Sequence, residues 1–301
     1  MEKVKFFFNG SGESVPLEMH KAKMVQRLNL LPVEDRQKAI VDAGFNTFLL
    51  KNRDVFLDML TDSGVNAMSD NQYAAMLRAD DAYAGSETFY RLEAELQKMF
   101  GKKYFLPAHQ GRACEHIIAK AFVRPGQSAI MNYHFTTTKA HITQLGGNIV
   151  EILTDEGLKV ESTCDFKGDM DITKLRSTID TLGKDNVSFV RVEAGTNLIG
   201  GQPVSVKNMR EVSAVCKEYG LLTVFDASLL SDNLYFTKTR EKGFENTDLN
   251  EITREIASLF DIVYFSARKL GCARGGGILT SSDEMYLSMR ELVTLYEGFL
   301  T

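Results

Sequence analysis

Ser266, Arg268 and Lys269 stand together in Phe265-Ser266-Ala267-Arg268-Lys269, directly after the apolar run Ile262-Val263-Tyr264-Phe265. The run reads as a buried strand, so a hydroxyl, a guanidinium and an amine emerge at its carboxyl end. This set suits a Schiff-base lysine beside a phosphate anchor, the arrangement that pyridoxal phosphate (PLP) requires. The alternative is a solvated Arg-Lys pair closing a strand before the turn Gly275-Gly276-Gly277. A second stretch, Leu221-Leu222-Thr223-Val224-Phe225-Asp226, is again an apolar strand pattern, and it ends in a carboxylate. An aspartate there can pair with a pyridinium nitrogen and keep the ring an electron sink. Each residue has an ordinary structural explanation, but together they favour a PLP site.

Two further junctions carry possible chemistry. Tyr104-Phe105-Leu106-Pro107 reads as a strand running into His109-Gln110-Gly111-Arg112, which opens a helix through Lys120. A helix N-terminus, a glycine allowing close approach and an arginine form a phosphate seat; plain capping beside a surface arginine is the other reading. Ser128–Asn132 reads as a strand ending at Tyr133-His134-Phe135, where Phe135 either stacks on a cofactor ring or packs in the core.

The elements that would position these residues alternate strand and helix from about residue 100 to 280. Further strands are expected at Ile149–Leu153 and Val187–Val192. Helices are expected at Ile172–Leu182, Val206–Gly220 and Glu251–Phe260, with Glu87–Phe100 an amphipathic helix upstream. The pattern predicts an α/β domain with a mainly parallel sheet that gathers its ligand at the strands' carboxyl ends. Residues 1–60, with a helix expected near Val33–Gly44, read as an N-terminal segment belonging to a smaller domain, and residues 61–301 as the large domain.

Composition narrows the function classes. The 301 residues are 44% hydrophobic and 25% charged, with a net charge of −5 and no basic arm. Nucleic acid is therefore not an expected partner. No stretch has the length of a membrane span, and Phe6-Phe7-Phe8 is too short for a signal segment. Cys114, Cys164, Cys216 and Cys272 are scattered and read as reduced thiols, which with the absent signal predicts a cytoplasmic protein. His20, His109, His116, His134 and His141 show no metal-ligand spacing.

Several segments, in order along the chain, resemble the β-eliminating lyase family of PLP enzymes. They are Leu60-Thr61-Asp62-Ser63-Gly64, Tyr83-Ala84-Gly85-Ser86, His109-Gln110-Gly111-Arg112, Phe135-Thr136-Thr137-Thr138, Asn197 with Gly200-Gly201-Gln202-Pro203, Asp226-Ala227, Asn233-Leu234-Tyr235-Phe236 and Ser266–Lys269. The wording at Tyr83 and Phe135 lies nearer the tyrosine phenol-lyases of that family than its tryptophanases. The resemblance implies a fold type I, aspartate-aminotransferase-like large domain plus part of a small domain. It also implies a β-elimination lyase acting on an aromatic amino acid. Lys269 would anchor PLP and take the substrate's α-proton, Asp226 would face the ring nitrogen, Phe135 would stack on the ring, and Asn197 would bond its phenolic oxygen. Gln110, Gly111, Arg112, Ser266 and Arg268 would hold the phosphate. Tyr83 would protonate the leaving group from a neighbouring subunit of a homo-oligomer, a dimer or tetramer. Thr136 would touch the leaving aromatic group, and Thr61 and Ser63 the substrate carboxylate.

Departures from the family pattern set further expectations. Leu229 stands where the family carries an arginine. The family's monovalent-cation site, for potassium, would fall near Gly64, Asp81 and Arg274, and the Arg274 guanidinium is expected to replace the ion and pair with Asp81. The chain ends before the family's remaining small-domain segment, which marks it as C-terminally shortened. Alternatives to the tyrosine phenol-lyase type are a tryptophanase-like or other amino-acid β-lyase, and a non-catalytic PLP-binding copy.

Overall fold

The structure, a computed structural model, describes residues 29–58, 60–61, 63 and 68–298, together with the backbone of Phe6–Phe8 and Ser14–Pro16. It divides into two compact units, Met1–Thr61 and Asp62–Thr301.

In the first unit, β1 (Phe6–Phe8) pairs antiparallel with β2 (Ser14–Pro16). Helix α1 (Val33–Asp42) starts after Pro32, carries Glu34 and Asp35 in its first turn, and gives way to Gly44 at φ +62°. Acidic residues there complement the helix dipole. No residue of α1 is buried, and Phe45, Phe48 and Leu49 are exposed.

The second unit opens with α2 (Asp70–Leu77) and α3 (Glu87–Phe100). Ser86 caps α3 by accepting from the Phe89 N–H, and Gly101 ends it in the left-handed region. A seven-stranded sheet follows. Its strands are β3 (Tyr104–Ala108), β4 (Ser128–Met131), β5 (Asn148–Glu151), β6 (Val187–Glu193), β7 (Thr223–Asp226), β8 (Ile262–Ser266) and β9 (Gly276–Thr280), in the order β3-β9-β8-β7-β6-β4-β5. Only β9 runs against the others, antiparallel to both β3 and β8. The expectation of a mainly parallel sheet therefore stands, with one reversed strand. The physical reason is the short connection from β8 to β9, residues 267–275 including the short helix Ala267–Leu270, since a parallel return needs a crossover of about a dozen residues or more.

The remaining helices are α4 (Gly111–Phe122), α5 (Thr136–Gln144), α6 (Ile172–Leu182), α7 (Val206–Tyr219), α8 (Leu230–Arg240), α9 (Leu249–Ser258), α10 (Ala267–Leu270) and α11 (Asp283–Glu297). Alternation along the strands builds two cores, one on each face of the sheet. Ile130, Val190, Val192, Phe225, Val263 and Leu279 pack with α3 and α6 to α9. Ala129, Met131, Phe189, Val224, Ile262 and Ile278 pack with α4, α5 and α11. Each such side chain buried from water contributes roughly 1.5–3 kcal/mol.

The segment Thr136–Gln144 is a helix, where its three threonines suggest only the end of a strand; Ile142 is drawn fully into the core. Among the described residues no helix is long and apolar enough to cross a membrane, and all four cysteines are free.

Candidate functional site

Because β3, β4, β6, β7 and β8 run the same way, their carboxyl ends share one edge of the sheet. That edge carries Gln110–Gly111, Phe135, Asn197, Asp226 and Ser266–Lys269. Side chains stitch it together. Asn132, fully buried, accepts from the Glu193 N–H at 3.1 Å and donates to the carbonyls of Glu193 and Gly168. Glu193 Oε1 accepts from the Asn197 N–H at 3.1 Å, so the turn at Asn197 hangs from the end of β6. The Ser266 N–H donates to Ser228 Oγ at 3.1 Å, which ties the end of β8 to the residues after Asp226.

Asp226 is buried at the end of β7. Its Oδ2 accepts from Arg191 Nη2 at 2.6 Å and from the Tyr264 hydroxyl at 2.7 Å, while Oδ1 accepts from the Ser228 N–H at 2.9 Å. Burial alone would favour the neutral acid, but the Arg191 guanidinium and these hydrogen bonds hold Asp226 below the usual carboxylate range. Its neighbour Glu193 responds oppositely: burial pushes it up to about 7 against the pull of Arg191.

Lys269 lies on the four-residue helix α10, half-buried, with Nζ 5.2 Å from the centroid of the Phe135 ring. Gly111 opens α4 hard against β8. A Cβ at that position would lie 2.9 Å from Ser266 Cβ and 3.2 Å from Ser266 Cα, so only glycine lets the helix start meet the strand end. No side chain caps this helix, and no acidic residue occupies its first turn. His109, just before it, donates its backbone N–H to Glu297 at 2.8 Å, which fixes the junction to the last turn of α11.

The other residues singled out in the sequence lie further out. Arg112, Arg268, Thr136 and Tyr83 are exposed, Tyr83 to 78%. Thr137 and Thr138 point the other way, both donating to Glu115. Thr61 is exposed at the end of the first unit and Ser63 is half-buried in the second; Asp62 and Gly64 lie outside the described residues. Leu229 Cβ sits where a side chain on Gly195 would have to go, 2.7 Å from its ideal Cβ, and Gly195 has φ +62°. Asp81 and Arg274 are both exposed, and among the described residues no ion pair joins them, contrary to the expected substitution for potassium. The carboxylate organised in that loop is its neighbour Asp80, which accepts from the N–H groups of Glu87 and Thr88 at the start of α3.

The residues that sequence reasoning missed are Arg191, Tyr264, Glu193 and Glu115. For two of them the sequence held a signal: Arg191 and Glu193 stand at alternate positions of a mostly apolar strand, facing the same way as Phe189.

Comparison with known proteins agrees with this geometry. Residues 58–298 match the family described as β-eliminating lyase. A tyrosine phenol-lyase from Symbiobacterium thermophilum is 41% identical over 285 residues, covering 94% of this chain and 62% of the relative. One from Fusobacterium nucleatum is 39% identical over 287 residues, covering 95% and 62%. The chain thus spans 62% of the length of these relatives. Among solved structures, a threonine aldolase from Leishmania major superposes with a TM-score of 0.60 at 18% identity, covering 78% of this chain and 65% of that one. A protein described as a putative aromatic amino acid β-eliminating lyase/threonine aldolase, from Exiguobacterium sp. 255-15, gives 0.55 at 16% identity, covering 79% and 59%. The fold is the fold type I architecture of PLP-dependent enzymes. The chain belongs to the β-eliminating lyase family.

Proposed function

We propose that this edge of the sheet binds pyridoxal phosphate through Lys269 and serves a β-elimination in which an aromatic amino acid, tyrosine in the first instance, and one water yield phenol, pyruvate and ammonia. The observation carrying the proposal is the placement of Lys269 Nζ 5.2 Å over the Phe135 ring, on the edge where Asp226 is held ionised. The residues fit the cofactor in kind. An ionised buried carboxylate suits a ring nitrogen, a flat aromatic suits the ring face, and an uncapped helix start pressed on Ser266 suits a phosphate.

PLP, when bound, supplies an aldehyde that captures the substrate amine and a ring that accepts the electron pair left at Cα. The chain's own residues do the rest. Lys269 Nζ takes the proton from the substrate Cα, and Asp226 keeps the ring nitrogen protonated. Asn197 donates to the ring's phenolic oxygen. Gln110, Gly111, Arg112, Ser266 and Arg268 hold the phosphate, with both guanidinium groups free to swing in from solvent. Tyr83 delivers a proton to the aromatic carbon that leaves, reaching the site of a neighbouring copy in a homo-oligomer; its exposure suits that role. Thr136 contacts the leaving ring, and Thr61 and Ser63 the substrate carboxylate. We assign residues 1–60 to part of a smaller domain, a division near the boundary of the compact unit Met1–Thr61.

The test is product release. The PLP-loaded chain, incubated with tyrosine, tryptophan, serine and S-alkylcysteine, should release pyruvate, and phenol from tyrosine alone. Tyr83→Phe should lower phenol release without changing cofactor binding. Pyruvate from every substrate except tyrosine would move the assignment to another β-lyase, and no pyruvate from any would favour a non-catalytic PLP-binding copy.

A further inference from the structure

Arg191 lies within β6 at 1% exposure, and its side chain is committed entirely to one buried cluster. Nε donates to the Tyr264 hydroxyl at 3.0 Å, Nη2 to Asp226 at 2.6 Å and Nη1 to Glu193 Oε2 at 3.1 Å. The Tyr264 hydroxyl donates to Asp226 Oδ2 at 2.7 Å and lies 3.3 Å from Glu115 Oε1. Glu115, also buried, takes the hydroxyls of Thr137 and Thr138. Three strands and helix α4 therefore contribute one guanidinium and three carboxyl groups to a single dry network.

The charges do not balance. With all groups ionised, three negative charges would face one positive charge away from water, which buried sites do not tolerate. Balance needs two more positive charges: protons on both Glu193 and Glu115, or a proton on one of them and a second cation. Burial raises both of these glutamates, while Asp226 alone is held ionised. A pyridinium N–H is such a cation, and Asp226 stands at the rim of the cluster, at the end of its strand.

Resting on the cofactor reading above, we infer that Arg191 and Tyr264 are positioning residues for a cationic ring nitrogen: they clamp Oδ2 of Asp226 and leave Oδ1 able to accept from the ring N–H. Oδ1 takes the Ser228 N–H at 2.9 Å and retains capacity for a further donor. The Tyr264 phenol stays protonated, since burial pushes its ionisation well above the ordinary range, so it remains a donor to Asp226 throughout. Removing the clamp frees the carboxylate to rotate and weakens the preference for a protonated ring nitrogen.

The experiment compares PLP with 1-deazapyridoxal phosphate, in which C–H replaces the ring nitrogen. Dissociation constants are measured for wild type, Tyr264→Phe and Arg191→Lys, with near-ultraviolet circular dichroism as the folding check. The wild type should prefer PLP, and each variant should narrow that preference on the order of tenfold, as expected for losing one hydrogen bond to a charged group. Affinity for the deaza compound should barely change. A purely structural role would weaken both ligands in parallel, and that result overturns the inference, as would variants that keep the full preference. Equal wild-type affinity for the two ligands overturns it without any variant. If the wild type binds no PLP, the cofactor reading itself fails, a result distinct from any of these.

Discussion

Two regions of the same sheet edge are built on opposite terms. Around Arg191, Asp226, Tyr264 and Glu115 the polar side chains are buried and satisfied by one another, and among the described residues no buried side-chain nitrogen or oxygen lacks a partner. Nearby on that edge, Arg112, Arg268 and Thr136 stand in solvent. The first region fixes geometry before any ligand arrives, at the cost of desolvating charges. The second keeps the groups proposed to grip phosphate and substrate mobile enough to admit them. Lys269 sits at the border, half-buried and over an aromatic face. The difference predicts that changes in the buried region act on stability and on the preference for a protonated ring nitrogen, and changes in the exposed region on binding and turnover with little cost in stability.

The largest effect should follow Lys269→Ala, with β-elimination falling on the order of 10³-fold or more, as for loss of a catalytic base. The thermal midpoint of the cofactor-free chain should barely move; a large drop would place Lys269 in the structural region instead. Arg191→Leu should, by contrast, show itself first in stability. It strands Asp226 and Glu193 as buried acids, and should lower stability by about 3–5 kcal/mol in a denaturant titration. An unchanged midpoint would show that the buried network is dispensable. Gly111→Ala probes the boundary: the new methyl meets Ser266 Cβ and backbone, costing about 1–3 kcal/mol. It should also weaken phosphate binding, measurable with inorganic phosphate as competitor.

The smallest effect is on pH dependence. Burial raises Asp169 to about 7, despite its hydrogen bonds from Ser205, and Glu193 also to about 7. An acid whose native pKa lies above its unfolded value binds more protons when folded. Stability should therefore decline as pH rises from about 4 through 7, by at most about 1.4 kcal/mol per pH unit for each group. Unfolding midpoints between pH 5 and 8 should show the decline, and Asp169→Asn should flatten it. A rise over that interval would contradict the assignment.

Strand ends were the legible part of this sequence. Asp226 terminates an apolar run and Lys269 closely follows another, and parallel strands bring such ends to one edge. Helix α6 is placed by its own period and by Asp171, which caps it by accepting from the Lys174 N–H. Arg191 was hard to read because a charge within an apolar strand ordinarily marks an edge or a surface, and two of its partners, Asp226 and Tyr264, lie 35 and 73 residues away. Helix α5 was hidden by its β-branched threonines, whose strand preference yields here to the Glu115 carboxyl and to the burial of Ile142. The reversal of β9 could have been read from the shortness of the connection between the runs ending at Phe265 and beginning at Ile278, too short for a parallel crossover with a full helix.

The most direct test of the account is an absorption spectrum of the purified chain with PLP, followed by borohydride reduction and peptide mapping. The account predicts a visible Schiff-base band and one reduced adduct, on Lys269, absent from Lys269→Ala. A folded chain that shows no band, or an adduct spread over surface lysines, would contradict it.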